Sequence, residues 1–353
     1  MYSKKAIFQE HFNVSTMDEA FLIYFESLSA MGKDSSYSAY TKLQIPFEAP
    51  CHPPLPSWDE VEQGFVEYLK PNPMAGKAFR VGAFMVKFGN DSTIFQEAES
   101  LLFLQANSQV RVPKVYAAFT RPILEWTRHF LIMDYIEGET LSGEKWLSLS
   151  DTSRSIILSK LCEQFRLLRS IPSEGYYGCV NRHGWQPWFS FLCKMQPGPS
   201  GPFDTYEEFV AALTSSAHLI RAMAINTDDF HPEEVALLSR MGSELLRCNG
   251  RQPVFTHMDP SVGNTIIRLI PGPEGEEDWE VTLIDWAESG WLPAWMQSWC
   301  LREKLTMETT MHDPNGKESD QYVEYVTKNL EGDYTKQLQL FDELRKGILY
   351  GLL

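Results

Sequence analysis

Between Val254 and Trp295 the chain reads VFTHMDPSVGNTIIRL, a polar Gly/Pro-rich insert, and then WEVTLIDWAESGWLPAW. No other stretch constrains the fold as tightly. Asp259 follows a short extended lead-in (254–256) and lies in a loop (257–263), Asn264 comes five positions later, and Asp285 closes an apolar run. Residues 265–270 and 280–284 are β-branched runs on either side of PGPEGEED, the composition of a hairpin loop. A loop acid, an amide at the mouth of a hairpin and a second acid on its return strand converge on one point. Singly, each residue reads as plainly as a turn, a strand edge or a solvated acid. Jointly, H-x-D-x-x-x-x-N followed by an apolar pair and Asp is what magnesium-dependent phosphoryl transfer requires. One carboxylate receives the proton of an attacking hydroxyl, while an Asn and another carboxylate hold metal against phosphates.

Upstream, residues to about 70 read as an N-terminal helical extension. Helical spacing at 18–30 is followed by a proline-broken stretch at 48–56, and then Ser57 and Glu60 in capping-box spacing ahead of Val61, Phe65 and Leu69. KAFRVGAFMVKFG (77–89) reads as two short strands around Gly82, with Lys87 closing the second. A strand lysine is by itself an ordinary edge residue. Residues 95–106 form a helix of strong formers in which Glu97 and Glu99 both compete as a lysine partner, and periodicity does not separate them. HFLIMDYIEG (129–138) is a buried strand and turn, and 141–172 a long amphipathic segment. Further helices open with Asp204 or Thr205 as cap and over 233–248, and the chain ends in helices around 296–307 and 334–350.

A chain of 353 residues has room for two lobes. Its formal charge of −16 argues against nucleic-acid and anionic-membrane surfaces. Cys51, Cys162, Cys179, Cys193, Cys248 and Cys300 show no C-x-x-C pair or zinc spacing, so free thiols in a reducing compartment are expected. With no signal-like or membrane-spanning run, the expectation is a cytoplasmic enzyme.

HMDPSVGN followed by LIDWAESGW resembles the catalytic and metal-binding segments of the aminoglycoside phosphotransferase family. That family includes choline kinase-like small-molecule kinases and has a protein-kinase-like fold. Trp rather than Phe-Gly after the metal acid points to the small-molecule branch, away from protein kinases. ETLSGEKWLSLSD and LRSIPSEGYYG resemble its fungal-type branch. The resemblance, which runs over about 77–299, implies an α+β fold with a small antiparallel-sheet N-lobe (71–136) and a larger, mainly helical C-lobe (137–353). It implies Asp259 as catalytic base, Asn264 and Asp285 as holders of Mg2+, and His257 as a brace of the loop. Lys87 and Glu97 become the phosphate-side ion pair, with the family's E-A-E pattern favouring Glu97 over Glu99. Backbone of Met133, Asp134, Tyr135 and Ile136 would meet the base of ATP or GTP.

The chain departs from the family's H-G-D-L-x-P-x-N at Met258, Pro260 and Val262. The acid after I-D-W is shifted to Glu288, and no glycine-rich loop precedes Lys87, Gly76 and Gly82 being poor substitutes. The expected activity is transfer of a γ-phosphoryl group to a hydroxyl of a small molecule. The alternative is a kinase-like protein that binds nucleotide without phosphorylating, or uses the fold for another transfer. Trp286, Glu288 and Trp291, with Trp295, follow the metal acid closely. They read either as a wall for a cationic or aromatic acceptor or as core anchors beneath the site.

Overall fold

In the computed structural model, which describes residues 3–31, 37–70, 77–187, 192, 194, 198–223, 229–310, 317–330 and 332–347, a five-stranded antiparallel sheet sits on a larger helical body. The chain opens with helices α1 (Lys4–Phe12) and α2 (Met17–Met31), strand β1 (Phe47–Glu48) and helix α3 (Trp58–Leu69). The N-lobe continues through β2 (Ala78–Val81), β3 (Phe84–Gly89), α4 (Thr93–Asn107), β4 (Val115–Ile123) and β5 (Trp126–Asp134). Sheet order is β1-β4-β5-β3-β2.

Strand alternation sorts the two faces of this sheet. Phe84, Val86 and Phe88 of β3, with Phe130 and Ile132 of β5, pack under Val61 and Phe65 of α3. Leu131 and Met133 turn the other way, toward α4. Lys87, in register with Leu131, therefore shares the α4 side. The capping box of α3 forms as its sequence predicts: Ser57 N–H donates to Glu60 Oε2 at 2.8 Å, and Glu60 N–H to Ser57 Oγ at 3.4 Å.

The chain then crosses by β6 (Glu139–Thr140) into α5 (Gly143–Ser148), α6 (Asp151–Arg169), α7 (Tyr206–Ala222) and α8 (Pro232–Leu245). After these come β7 (Pro253–His257), β8 (Thr265–Pro271), β9 (Glu277–Leu283) and β10 (Ser289–Pro293), and then α9 (Met296–Thr310), α10 (Lys317–Asn329) and α11 (Thr335–Gly347). Ile157, Leu161, Phe165 and Leu168 of α6 share one core with Val281 and Leu283 of β9 and Phe255 of β7. That core fixes the hairpin and the loop before it. The amphipathic segment expected at 141–172 is two helices, broken where Ser150 Oγ caps Ser153 N–H at 3.1 Å. Thr205 rather than Asp204 caps α7. Strand β10 and helix α10 have no counterpart in the sequence reading.

The first seventy residues are built into both lobes. β1 extends the sheet on β4, pairing Phe47 with Ala118, while Ile7, Phe8, Phe12 and Ala20 pack against Leu219, Ala222 and Met223 of the α7 end. Cys51, Cys162, Cys179, Cys248 and Cys300 are free thiols; Cys193 and Gly76 lie outside the described residues. Among the described residues no helix is long and apolar enough to cross a membrane.

Candidate active site

Lys87 sits where β3 passes α4. Its Nζ lies 2.6 Å from Glu97 Oε2 and 2.6 Å from Asp285 Oδ1. The Glu97 side chain is 1% exposed against 41% for Asp285, so the lysine bridges a sealed acid and an open one. Glu97 Oε1 also accepts the Trp286 N–H at 3.3 Å, tying α4 to the strand end that bears Asp285. Burial opposes the charge on Lys87, but Glu97 and Asp285 outweigh it and hold the ammonium above its usual range. Burial pushes the Glu97 carboxyl up, with Lys87 pulling against it. At Asp285 the attraction of Lys87 overcomes burial and the carboxyl is lowered. Asp285 has φ +63°, a left-handed conformation that Asp tolerates better than most side chains.

Glu99 is engaged elsewhere. Its Oε1 accepts Asn181 Nδ2 at 2.6 Å and Lys42 N–H at 3.1 Å. On the same helix, Gln96 Nε2 donates to Gly184 O at 3.0 Å, and Gln186 Nε2 to Ser92 Oγ at 2.6 Å. α4 is thus held to the 178–186 segment on one side while it offers Glu97 on the other.

The loop after β7 is equally determined. His257 is fully buried; its Nε2 donates to Ile284 O at 3.0 Å, and its Nδ1 accepts the Asp259 N–H at 3.2 Å. These bonds assign the neutral tautomer with the proton on Nε2, and burial lowers the ring's pKa accordingly. His257 therefore joins the Asp259 loop to the strand end before Asp285. Asn264 Nδ2 donates to Asp259 Oδ2 at 3.0 Å and to Asp259 O at 2.9 Å, and Asn264 O accepts the Ile284 N–H at 2.9 Å. Met258, the first departure from the family pattern, points into the core that holds Trp295, away from the acids.

Two residues here were missed by sequence reasoning. Gln297 of α9 brackets the loop: His257 N–H donates to its Oε1 at 3.0 Å, and its Nε2 donates to His257 O at 3.0 Å. Lys304 Nζ lies 3.2 Å from Asp259 Oδ1. Their seven-residue spacing puts them on one face of a helix two turns apart, a signal present in the sequence. Glu288 is part of the same cluster: burial raises its carboxyl, with Lys304 pulling it down.

The aromatic acceptor wall is not met by the indoles. Trp286, Trp291 and Trp295 are each 0% exposed, with Trp286 edge-on to His257 at 4.5 Å and Trp291 edge-on to Phe255 at 5.1 Å. They are core anchors, because β10 folds back onto β7 and draws them inward. Of the four, Glu288 alone belongs to the charged cluster.

At the linker, Met133 is buried. Asp134 is engaged through its side chain by Tyr116 Oη at 2.6 Å and Lys114 N–H at 3.1 Å. Tyr135 N–H donates to Ala83 O at 3.3 Å, and its ring carries the Arg80 guanidinium at 3.7 Å. Among the described residues no hydrogen bond uses the Ile136 N–H. A cavity of about 660 Å³ is lined by Asp134, Tyr135 and Ile136 together with Val110, Ile266 and Thr282, but not by Lys87 or Asp285.

The donor set fits magnesium. Among the described residues no group of three or more His, Cys, Asp or Glu forms a metal cage. Mg2+ does not need one, since it keeps waters and takes one or two protein oxygens beside phosphates. Asn264 Oδ1 and Asp285 Oδ2 are such oxygens, the other atoms of these groups being held by Asp259 and Lys87. Lys87 and Lys304 thus lie among four carboxyl groups, those of Glu97, Asp285, Asp259 and Glu288.

A family model described as the phosphotransferase enzyme family matches residues 78–312, well over half the chain, and the chain belongs to that family. Its fold is similar to a thermostable mutant of aminoglycoside phosphotransferase APH(4)-Ia in ternary complex with AMP-PNP and hygromycin B. The two share 15% identity over 78% of this chain and 82% of that one, with a TM-score of 0.46. APH(2")-IIia, in complex with GDP and kanamycin, is 13% identical over 91% of this chain and 88% of its own, with a TM-score of 0.45. The streptomycin-ATP ternary complex of APH(2")-IIa is 16% identical over 83% and 97%, with a TM-score of 0.41. No curated protein matches the chain.

Proposed function

We propose that this protein moves the γ-phosphoryl group of ATP or GTP to a hydroxyl of a small molecule. The observation that carries this reading is the pair of ion pairs from Lys87 to Glu97 and to Asp285, together with the hydrogen bond that joins Asn264 to Asp259. Asp259 takes the hydroxyl proton, and Asn264 sets the orientation of that carboxylate. Lys87 holds nucleotide phosphates and Glu97 holds Lys87. His257 keeps the two acid-bearing segments in register. The linker from Met133 to Ile136 receives the base. Asn264 and Asp285 would hold Mg2+, which when bound would neutralise phosphate charge. Glu288 gives the acceptor side an acid suited to an amino alcohol. Placement in the fungal-type branch rests on the sequence around 139–178.

Incubation with labelled ATP or GTP, magnesium and a panel of amino alcohols, sugars and aromatic alcohols tests the reading. Label should pass to at least one acceptor. Protein that neither transfers label nor binds Mg·ATP would remove it. Asp285→Ala should weaken binding of Mg·ATP far more than of metal-free ATP. Unchanged magnesium dependence would make Asp285 an ordinary acid.

A further inference from the structure

The base of the transfer has a cation beside it that no motif announces. Asn264 occupies Asp259 Oδ2, which leaves Oδ1 to meet a hydroxyl, and that is the oxygen 3.2 Å from Lys304 Nζ. The loop HMDPSVGN contains no Lys or Arg. Lys87 is already committed at 2.6 Å to two other carboxylates, Glu97 and Asp285. Lys304 is therefore the cation in contact with the base. Its helix is registered to the loop through both bonds of Gln297 to His257. The ammonium itself ends a flexible four-carbon stem, free to shift by an ångström or two.

We propose that Lys304 is a catalytic residue of the transfer, resting on Asp259 while the acceptor is absent and moving onto the transferring phosphoryl oxygens once the acceptor hydroxyl takes its place. The inference rests on the function proposed above. In the step, the hydroxyl proton passes to Asp259 Oδ1 and the acceptor oxygen forms its bond to phosphorus. The bond from phosphorus to the bridging oxygen breaks, and its electron pair leaves with the nucleoside diphosphate. Lys304 keeps its proton throughout and contributes only charge, where three equatorial oxygens carry the negative charge of the transition state. Its ammonium is suited to this: burial works against it, but Asp259 and Glu288 outweigh burial and keep it charged.

The test reads binding, not turnover. Isothermal titration measures Mg·ADP with and without aluminium fluoride, a mimic of the phosphoryl group in flight whose axial water stands in the place of the acceptor hydroxyl. Wild type should bind more tightly when aluminium fluoride is added. K304M should lose about tenfold or more of that gain, in line with loss of one preorganised charge, while Mg·ADP alone binds within about twofold of wild type. K304R should keep part of the gain. K304Q serves as a second truncation should K304M not fold. A truncated variant with the full wild-type gain overturns the proposal. Wild type that binds Mg·ADP with no gain at all overturns both this inference and the function beneath it, so the two failures are told apart.

Discussion

Two lysine–carboxylate sets make up the charged part of the site, and they are built on opposite plans. Lys87 is 13% exposed and bonds Glu97, 1% exposed, at 2.6 Å. Lys304 and Asp259 are 31% and 28% exposed and lie 3.2 Å apart. The first set is clamped: strand register aims Lys87, and polar contacts to the 178–186 segment keep α4 in place. The second keeps contact with water, as a base that must accept and release a proton requires. Removing one partner of a buried pair costs roughly 3–5 kcal/mol, because a charge is left stranded, whereas exposed pairs contribute about 0–1 kcal/mol. The structure thus spends rigidity on the phosphate side and leaves mobility on the acceptor side.

The sharpest separation comes from activity. Asp259→Asn should fold, bind nucleotide and lose about 10²–10⁴-fold in transfer, since an amide matches the shape but cannot take the proton. Transfer within about threefold of wild type would dismiss Asp259 as the base.

Stability gives the next contrast. In urea titrations Lys87→Ala should lose about 3–5 kcal/mol and Lys304→Ala about 0–1 kcal/mol. Equal losses would erase the distinction between clamped and mobile sets. Within the clamped set, Lys87→Ala and Glu97→Ala should each lower transfer, the second less. Because Glu97 acts through Lys87, the double variant should fall short of the product of the two. Fully independent losses would mean that the contact does no positioning.

The smallest expected effect is one of pH. Burial lowers the pKa of His257, and likewise of His11, His129, His183 and His218. Below about pH 6.5, the ordinary histidine value, the unfolded chain binds more protons than the folded one, so stability falls as pH falls. It is complete above that value and declines until the folded-state pKa values are passed. Urea midpoints measured from pH 7.5 to 5 should show this decline, shallower in His257→Gln. A His257→Gln profile as steep as that of wild type would mean that this ring is not held neutral.

Much of the site was legible because its chemistry is local in sequence. Asp259, Asn264 and Asp285 lie on one hairpin, and β-branched runs around a Gly/Pro turn announce a hairpin well. Glu97 against Glu99 was not legible from periodicity for a physical reason. α4 is buried on nearly every side, from Ile94 and Phe95 to Leu101 and Leu104, so it has no single apolar face to read. The tryptophans read equally as a wall or as core anchors. The return of β10 onto β7, which buries them, is a long-range pairing that no local pattern reveals. Gln297 and Lys304 share a helix face by their seven-residue spacing, but what that face meets, the Asp259 loop, is a long-range contact that the spacing does not name.

The brace formed by the first seventy residues has a consequence for how the chain is made. The Lys4 N–H donates to Asp229 Oδ1, 225 positions later, and α1 packs on α7. At about 5–20 residues per second, the ribosome delivers that partner roughly 10–45 s after α1 emerges. For that interval Ile7, Phe8 and Phe12 have only α2 and the turn before it to cover them. α3 waits less, since the strands it covers follow directly, so the N-lobe can close while α1 and α2 remain open. The packing of α1 is therefore completed later than that of α3, once α7 has been made.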